Sequence, residues 1–240
     1  MLVGALIIFI ATAWYEYTKY IDLKIAWGGF SPVAWLYQKV LPSNFLNDFP
    51  SGIENFGKSA FAHVYTLAYW FGVTPETFVP YVMGFEIALL AVTFYVLSRT
   101  LLPDSPYAVP IIVVVLCIAS NARNLDLARV GAPYIEGKFN NVADVLRLFA
   151  IILALKNRFT LSGLVLAASS ITNPIIGIVG AFFILSTFYL KPSHLLTKSV
   201  LYGALLFIVI TSVWIKINYA PENFSGNIIP NEIWFDLARF

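Results

Sequence analysis

Residues 160–190 read "TLSGLVLAASSITNPIIGIVGAFFILSTFYL", an apolar run of thirty-one residues. As one helix the run would measure about 46 Å, half again the ~30 Å hydrocarbon core of a bilayer. It is interrupted at Thr172-Asn173-Pro174. Proline disfavours a helical residue before it, and asparagine suits a turn. Two helices, 160–171 and 174–190, folded back as a hairpin are therefore expected. Charge agrees: Lys156 and Arg158 precede the run, and Lys191 and Lys198 follow it. A hairpin puts all four on one side, and a single span would divide them.

Working outward, the rest of the chain has the same character. Its 240 residues are 59% hydrophobic and 12% charged, with mean hydropathy +0.78. A soluble domain is about one quarter charged. So little polar surface implies an all-α, polytopic transmembrane helical bundle. Net charge is +2, and no basic run suggests nucleic acid. The single cysteine, Cys117, lies in an apolar run and has no intrachain partner for a disulfide.

The first span is expected at about 2–14, reaching at most Tyr20. Ala11-Thr12-Ala13 looks like a signal-peptidase site, but the basic n-region of a signal peptide is missing. An aromatic stretch, 15–76, follows. It contains two amphipathic pieces suited to helices lying at the interface, "SPVAWLYQKVL" (31–41) and "SAFAHVYTLAYWFG" (59–72). Further spans are expected at 77–99, 107–120, 144–155 and 199–217, which makes 77–217 the transmembrane part. The amphipathic end "NEIWFDLARF" suggests that the chain, a single membrane domain over 1–240, is the N-terminal portion of a longer protein.

If each short helix crosses, Arg99 joins the hairpin's basic residues, and that side is cytoplasmic by the positive-inside rule. The opposite, extracytoplasmic side then collects the polar pieces. These are the 15–76 loop, the 121–143 loop, the Asn173-Pro174 turn and the tail from Asn218.

The candidate chemistry lies in those pieces. "LPSNFLNDFPSG" (41–52) carries Asp48 beside a proline turn, with Glu54 close behind. A loop acid there is an N-cap or turn residue, or a general base whose pKa burial has raised. "SNARNLDLARVGAPYIEGKFNN" (120–141) is the densest charge cluster, holding Arg123, Asp126, Arg129, Glu136 and Lys138. Arg123, Asp126 and Arg129 fall at i, i+3, i+6, and two guanidiniums on one helical face hold a phosphate well. A solvated loop with local ion pairs is the plainer alternative. Glu86 lies within the 77–99 span, where a carboxylate is costly; it is either neutral or paired with Arg147. Arg147 has a second candidate partner in Asp144, at i, i−3. Asn173 is placed to cap the second hairpin helix, whose free amides could bind an anion. His63 and His194 lack metal-ligand spacing, and no phosphate loop, nucleophile elbow or dinucleotide fingerprint is present.

This arrangement resembles the N-terminal part of the GT-C membrane glycosyltransferases and their bacterial relatives. The features that carry the resemblance are a first helix, a long loop with the acidic "NDFP", a long second span, short helices, and the "TNPIIG" hairpin. Relatives often have His-Pro where this chain has Asn173-Pro174, and a paired loop acid where it has Asn47-Asp48. The resemblance implies transfer of a sugar from a polyprenyl-phosphate carrier to an acceptor on the extracytoplasmic side. It implies Asp48 as the base that deprotonates the acceptor hydroxyl, or as a ligand to a divalent metal ion. No cofactor is fixed by the sequence itself. By chemistry, Arg123, Arg129 and Lys138 are the candidates to stabilise the leaving phosphate, with the prenyl chain among membrane lipid beside the short helices. Expected localisation is the bacterial inner membrane. The competing expectations are a transporter or flippase-like protein with Glu86 and Arg147 on its path, and a non-catalytic membrane subunit.

Overall fold

The computed structural model describes residues 2–23, 58–119, 139–190 and 197–219. Among these every regular element is an α-helix. They are α1 (Leu2–Leu23), α2 (Ala62–Trp70), α3 (Pro75–Leu101), α4 (Ala108–Ala119), α5 (Phe139–Leu155), α6 (Phe159–Thr172), α7 (Pro174–Leu190) and α8 (Lys198–Asn218). The expected interfacial helix at 31–41 lies outside the described residues.

Local chemistry explains the breaks. Between α2 and α3, Gly72 takes φ +78°. Its amide bonds to Tyr69 O, and that of Val73 bonds to Ala68 O. This is the reciprocal pattern that closes a helix on a left-handed residue. The same device ends α5. Asn157 sits at φ 58°, with Asn157 N–H to Ala154 O at 2.9 Å and Arg158 N–H to Leu153 O at 2.8 Å. Asparagine is the side chain most at home there after glycine. α3 starts on Pro75, where a missing amide costs nothing.

The apolar run of 160–190 is indeed two helices, α6 and α7, broken at Asn173. α5 and α6 form a second antiparallel pair. Ser162 Oγ donates to Ala150 O at 2.8 Å and Ser169 Oγ to Ala143 O at 2.7 Å. Two helical turns separate these steps, so the bonds run the length of the contact. α8 packs along α6 at backbone distance. A Cβ on Gly163 would collide with the backbone of Gly203, and one on Gly203 with Phe159 O. Thr160 adds hydrogen bonds of 3.1 Å to both Ser199 O and Ser199 Oγ. α1 lies antiparallel to α3, with Gly4 against Tyr95, Phe9 against Phe85 and Tyr17 against Tyr81. The core comprises Ala150, Ala154, Leu166, Ile184 and Phe188 on one side, and Ala91, Tyr95 and Val114 on the other.

Among the described residues two helical segments are long and apolar enough to cross a membrane, Gly84–Leu101 and Lys198–Asn218. α8 spans about 31 Å. Apart from Gly203 and Thr211 it buries little, and Leu201, Leu205, Ile208, Val213 and Ile217 are all exposed. An apolar face that size is out of place in water. The helices at 2–18, 159–172 and 174–186 are apolar but shorter.

Several expected boundaries shift. α1 runs to Leu23, past the expected ends at Trp14 and Tyr20, and buries Glu16. α5 begins at Phe139, so the last part of the expected 121–143 loop is helix. Asn141 is fully buried in its first turns, where packing overrides asparagine's low helix propensity.

Candidate functional site

The helix ends sort into two groups. Ala60 N–H donates to Ile171 O at 2.9 Å, and Trp214 Nε1 donates to Lys58 O at 3.1 Å. Ser169, near the end of α6, holds Ala143, near the start of α5. One end of the bundle, the upper end, therefore gathers residues 58–60, the start of α5, the Asn173-Pro174 turn and the end of α8. Tyr65 on α2 meets Phe78 on α3 edge-on at 5.6 Å, which puts the start of α3 at the same end. The end of α1 follows, because Tyr17 meets Tyr81. The lower end holds the α5–α6 turn, the start of α8, and Arg99, whose Nη1 donates to Ser105 O at 2.8 Å.

Of the sequence candidates, Asp48, Glu54, Arg123, Asp126, Arg129 and Lys138 lie outside the described residues. Asn173 and Glu86 are described, and they are not brought into one cluster by any recorded contact.

Asn173 is the cap expected of it. Its Oδ1 accepts from Ile175 N at 3.1 Å and Ile176 N at 3.3 Å. Its own carbonyl accepts from Gly177 N at 3.1 Å. Pro174 has no amide hydrogen. All of the first-turn donors of α7 are thus consumed inside the chain, and the anion site expected at this helix start has no donor left. Of the two readings of this stretch, a hairpin turn or an anion site, the turn accounts for every one of these donors.

Glu86 is sealed, with 1% of its surface exposed, on the i, i+4 row that begins with Phe78 and Val82. Its Oε2 meets no hydrogen-bond partner among the described residues. Of the two candidate partners of Arg147, Glu86 does not pair with it and Asp144 does. Arg147 Nη2 is bound to Asp144 Oδ1 at 2.6 Å, three residues away on the same helix. Local geometry wins because an i, i+3 pair needs no reach across the bundle. Burial holds the Tyr65 phenol well above its usual range, so it remains a neutral hydroxyl at any ordinary pH.

Sequence reasoning did not single out a groove of about 850 Å³ between α1, α2 and α3. Aromatic side chains dominate its wall, among them Phe9, Trp14, Phe61, Phe78 and Phe85. Its polar groups are the Tyr17 and Tyr81 hydroxyls, 3.3 Å apart. The aromatic richness of 9–17 and 78–85 was the available signal. Among the described residues no three His, Cys, Asp or Glu side chains cluster as a metal site would need.

No protein-family model matches this chain, and neither a curated protein nor a solved structure similar to it was found, so functional inference rests on its residues and geometry.

Proposed function

We propose that this chain is the membrane-embedded N-terminal part of a polyprenyl-phosphate-dependent glycosyltransferase of the GT-C kind, built as a polytopic bundle. The observation that carries the proposal is the convergence at the upper end. The end of α1 and residues 58–60, on either side of 24–57, lie there with the Asn173 turn, as does the start of α5, which follows 120–138. In this reading the stretch with Asp48 and the stretch with Arg123, Arg129 and Lys138 work at that one face. A base for an acceptor hydroxyl and cations for a leaving phosphate are needed on the same face.

In this reading Asp48 takes the proton of the acceptor hydroxyl as its oxygen attacks the anomeric carbon. The bond from that carbon to the carrier phosphate breaks with inversion, and the guanidiniums take up the charge of the departing polyprenyl phosphate. A divalent ion held by Asp48 would supply the same charge stabilisation. The upper end is extracytoplasmic in this proposal. Arg99, Lys156, Arg158 and Lys198 mark the lower end, against Lys19, Lys58 and Lys216 at the upper. That division is close, so orientation is better read by labelling. In a Cys117→Ser background, cysteine placed at Lys58 should react with an impermeant maleimide on intact cells, and cysteine at Lys156 should not.

The deciding experiment uses the full-length protein in nanodiscs with radiolabelled polyprenyl-phosphate hexoses. Asp48→Asn should lower transfer by about 10²–10⁴-fold while leaving thermal unfolding unchanged. Retained transfer in that variant removes Asp48 from the mechanism. A transporter with Glu86 and Arg147 on its path is less well supported, because Glu86 is sealed and Arg147 is engaged by Asp144.

A further inference from the structure

α8 presents one continuous row of side chains away from the bundle. Lys198, Tyr202, Leu205 and Val209 fall at i, i+4, i+7 and i+11, a single face of a helix. All four are exposed, Tyr202, Leu205 and Val209 by half or more. The opposite side of α8, with Gly203, is the one packed on α6. Chemistry changes along the exposed row. A cation stands at the foot, a phenol one turn above it by about 6 Å, and aliphatic side chains from about 10 Å upward.

Lys198 is not the only cation at this foot. The starts of α6 and α8 are tied together: Thr160 N donates to Ser199 Oγ at 3.3 Å, and Thr160 Oγ1 donates to Ser199 O at 3.1 Å. Arg158 stands two residues before Thr160 and Lys156 two before that, and both are exposed. Asn157, at φ 58°, turns the chain between them. The sequence around these cations supplies no counter-charge. It has no Asp or Glu from Val145 to Pro221, and Asp144 is engaged by Arg147 on α5. Asp104, a described acid of the lower end, lies in the α3–α4 turn that Arg99 closes. Uncompensated cations at the border of a membrane-crossing helix draw their anions from the lipid surface.

We propose that the foot of α8 binds an anionic glycerophospholipid. The phosphate lies against Lys198 and Arg158, with Lys156 close by; an ester carbonyl accepts from the Tyr202 hydroxyl; and an acyl chain runs along Leu205 and Val209. The order of groups on the helix selects this class of lipid. Anion, ester and hydrocarbon follow one another in a glycerophospholipid, whereas a polyprenyl phosphate joins its phosphate directly to hydrocarbon and has nothing for the phenol to hold. Lysine suits the foot because its stem can lie on apolar surface while its ammonium reaches the phosphate, and tyrosine suits the level just above. The proposal needs only that α8 crosses the membrane. It is independent of the transferase reading, whose carrier phosphate sits at the upper end.

The test uses the full-length protein in detergent, titrated with phosphatidylglycerol, phosphatidylcholine or undecaprenyl phosphate, with bound lipid counted by native mass spectrometry. Wild type should bind phosphatidylglycerol at least about tenfold more tightly than phosphatidylcholine. Lys198→Gln should weaken phosphatidylglycerol about fivefold, and Lys156→Gln, Arg158→Gln and Lys198→Gln combined about a hundredfold, which abolishes the preference. Lys216→Gln, at the other end of the same helix, should change nothing. Tyr202→Phe should weaken phosphatidylglycerol about fivefold, the worth of one hydrogen bond, and leave undecaprenyl phosphate unaffected. Every substituted side chain is exposed, so thermal unfolding should remain that of the wild type. Equal binding of the two phospholipids by wild type overturns the proposal, as does a preference that survives the triple substitution. Undecaprenyl phosphate displacing phosphatidylglycerol at equal concentration overturns the assignment to a glycerophospholipid. Competition by glycerophosphoglycerol, the headgroup without chains, as strong as that of the whole lipid overturns the part given to Leu205 and Val209.

Discussion

The α6–α8 contact and the α1–α3 contact solve one problem in different ways. Between α6 and α8 the backbones touch through Gly163 and Gly203, and Thr160 and Ser199 exchange hydrogen bonds at the lower end. Between α1 and α3 the approach is looser. A Cβ on Gly84 would come 3.0 Å from Ala13 O, and most of the contact is aromatic, with Tyr17 and Tyr81 at 4.7 Å between ring centres. The second contact, together with α2, borders the groove of about 850 Å³. Lipid tails are as apolar as leucine, so helices in a membrane gain little from burying apolar surface against each other. They gain from close backbone packing and from polar ties. The α6–α8 contact has both, which makes it the rigid half of the molecule.

The sharpest way to break that contrast is a single methyl group placed on each side. Gly163→Ala should destabilise the fold by about 3 kcal/mol, because the obstacle is backbone and cannot swing away. Gly84→Ala should cost about 1 kcal/mol or less, since Ala13 O needs to give by only a few tenths of an ångström. Thermal unfolding of the two variants in one detergent gives the comparison directly. Equal losses would mean that the two contacts are equally tight.

An intermediate effect is expected at the hairpin that joins the rigid half to α7. Asn173→Ala removes the acceptor of two first-turn amides, and should cost about 1 kcal/mol. Asn173→Asp keeps the acceptor and should cost less. If Asn173→Ala instead left stability untouched while weakening donor binding, the turn would be a ligand site after all.

Which parts of this could be foreseen depends on how local their cause is. The Asn173-Pro174 break was legible because a proline and a capping side chain act within one turn. The start of α5 at Phe139 was not, because Asn140 and Asn141 look like loop until Asn141 is seen buried in a helix. The glycines at 163 and 203 sit unremarked in apolar runs. Their meaning depends on a partner forty residues away, as the tie from Trp214 to Lys58 depends on one 156 residues away. Of the two partners the sequence offered Arg147, Glu86 and Asp144, spacing alone did not choose. Arg147 had Asp144 one turn back on its own helix, and the shorter reach won.

The smallest effect on stability is expected at Glu86, and it carries the most information about function. A carboxyl group buried to 1% exposure, with Oε2 unpartnered, gives the fold little that an amide of the same shape would not. A buried ionised carboxylate without a partner would cost several kcal/mol, so the neutral form is the one that packs here. Glu86→Gln should therefore unfold within about 0.5 kcal/mol of the wild type. It should also leave sugar transfer unchanged, because the proposed mechanism gives Glu86 no part. A transport role makes the opposite forecast: the substitution would abolish uptake while the fold stayed intact, since glutamine cannot release and recapture a proton. Measured on one preparation, unfolding, transfer and uptake in Glu86→Gln separate a buried acid that merely fills its place from one that works.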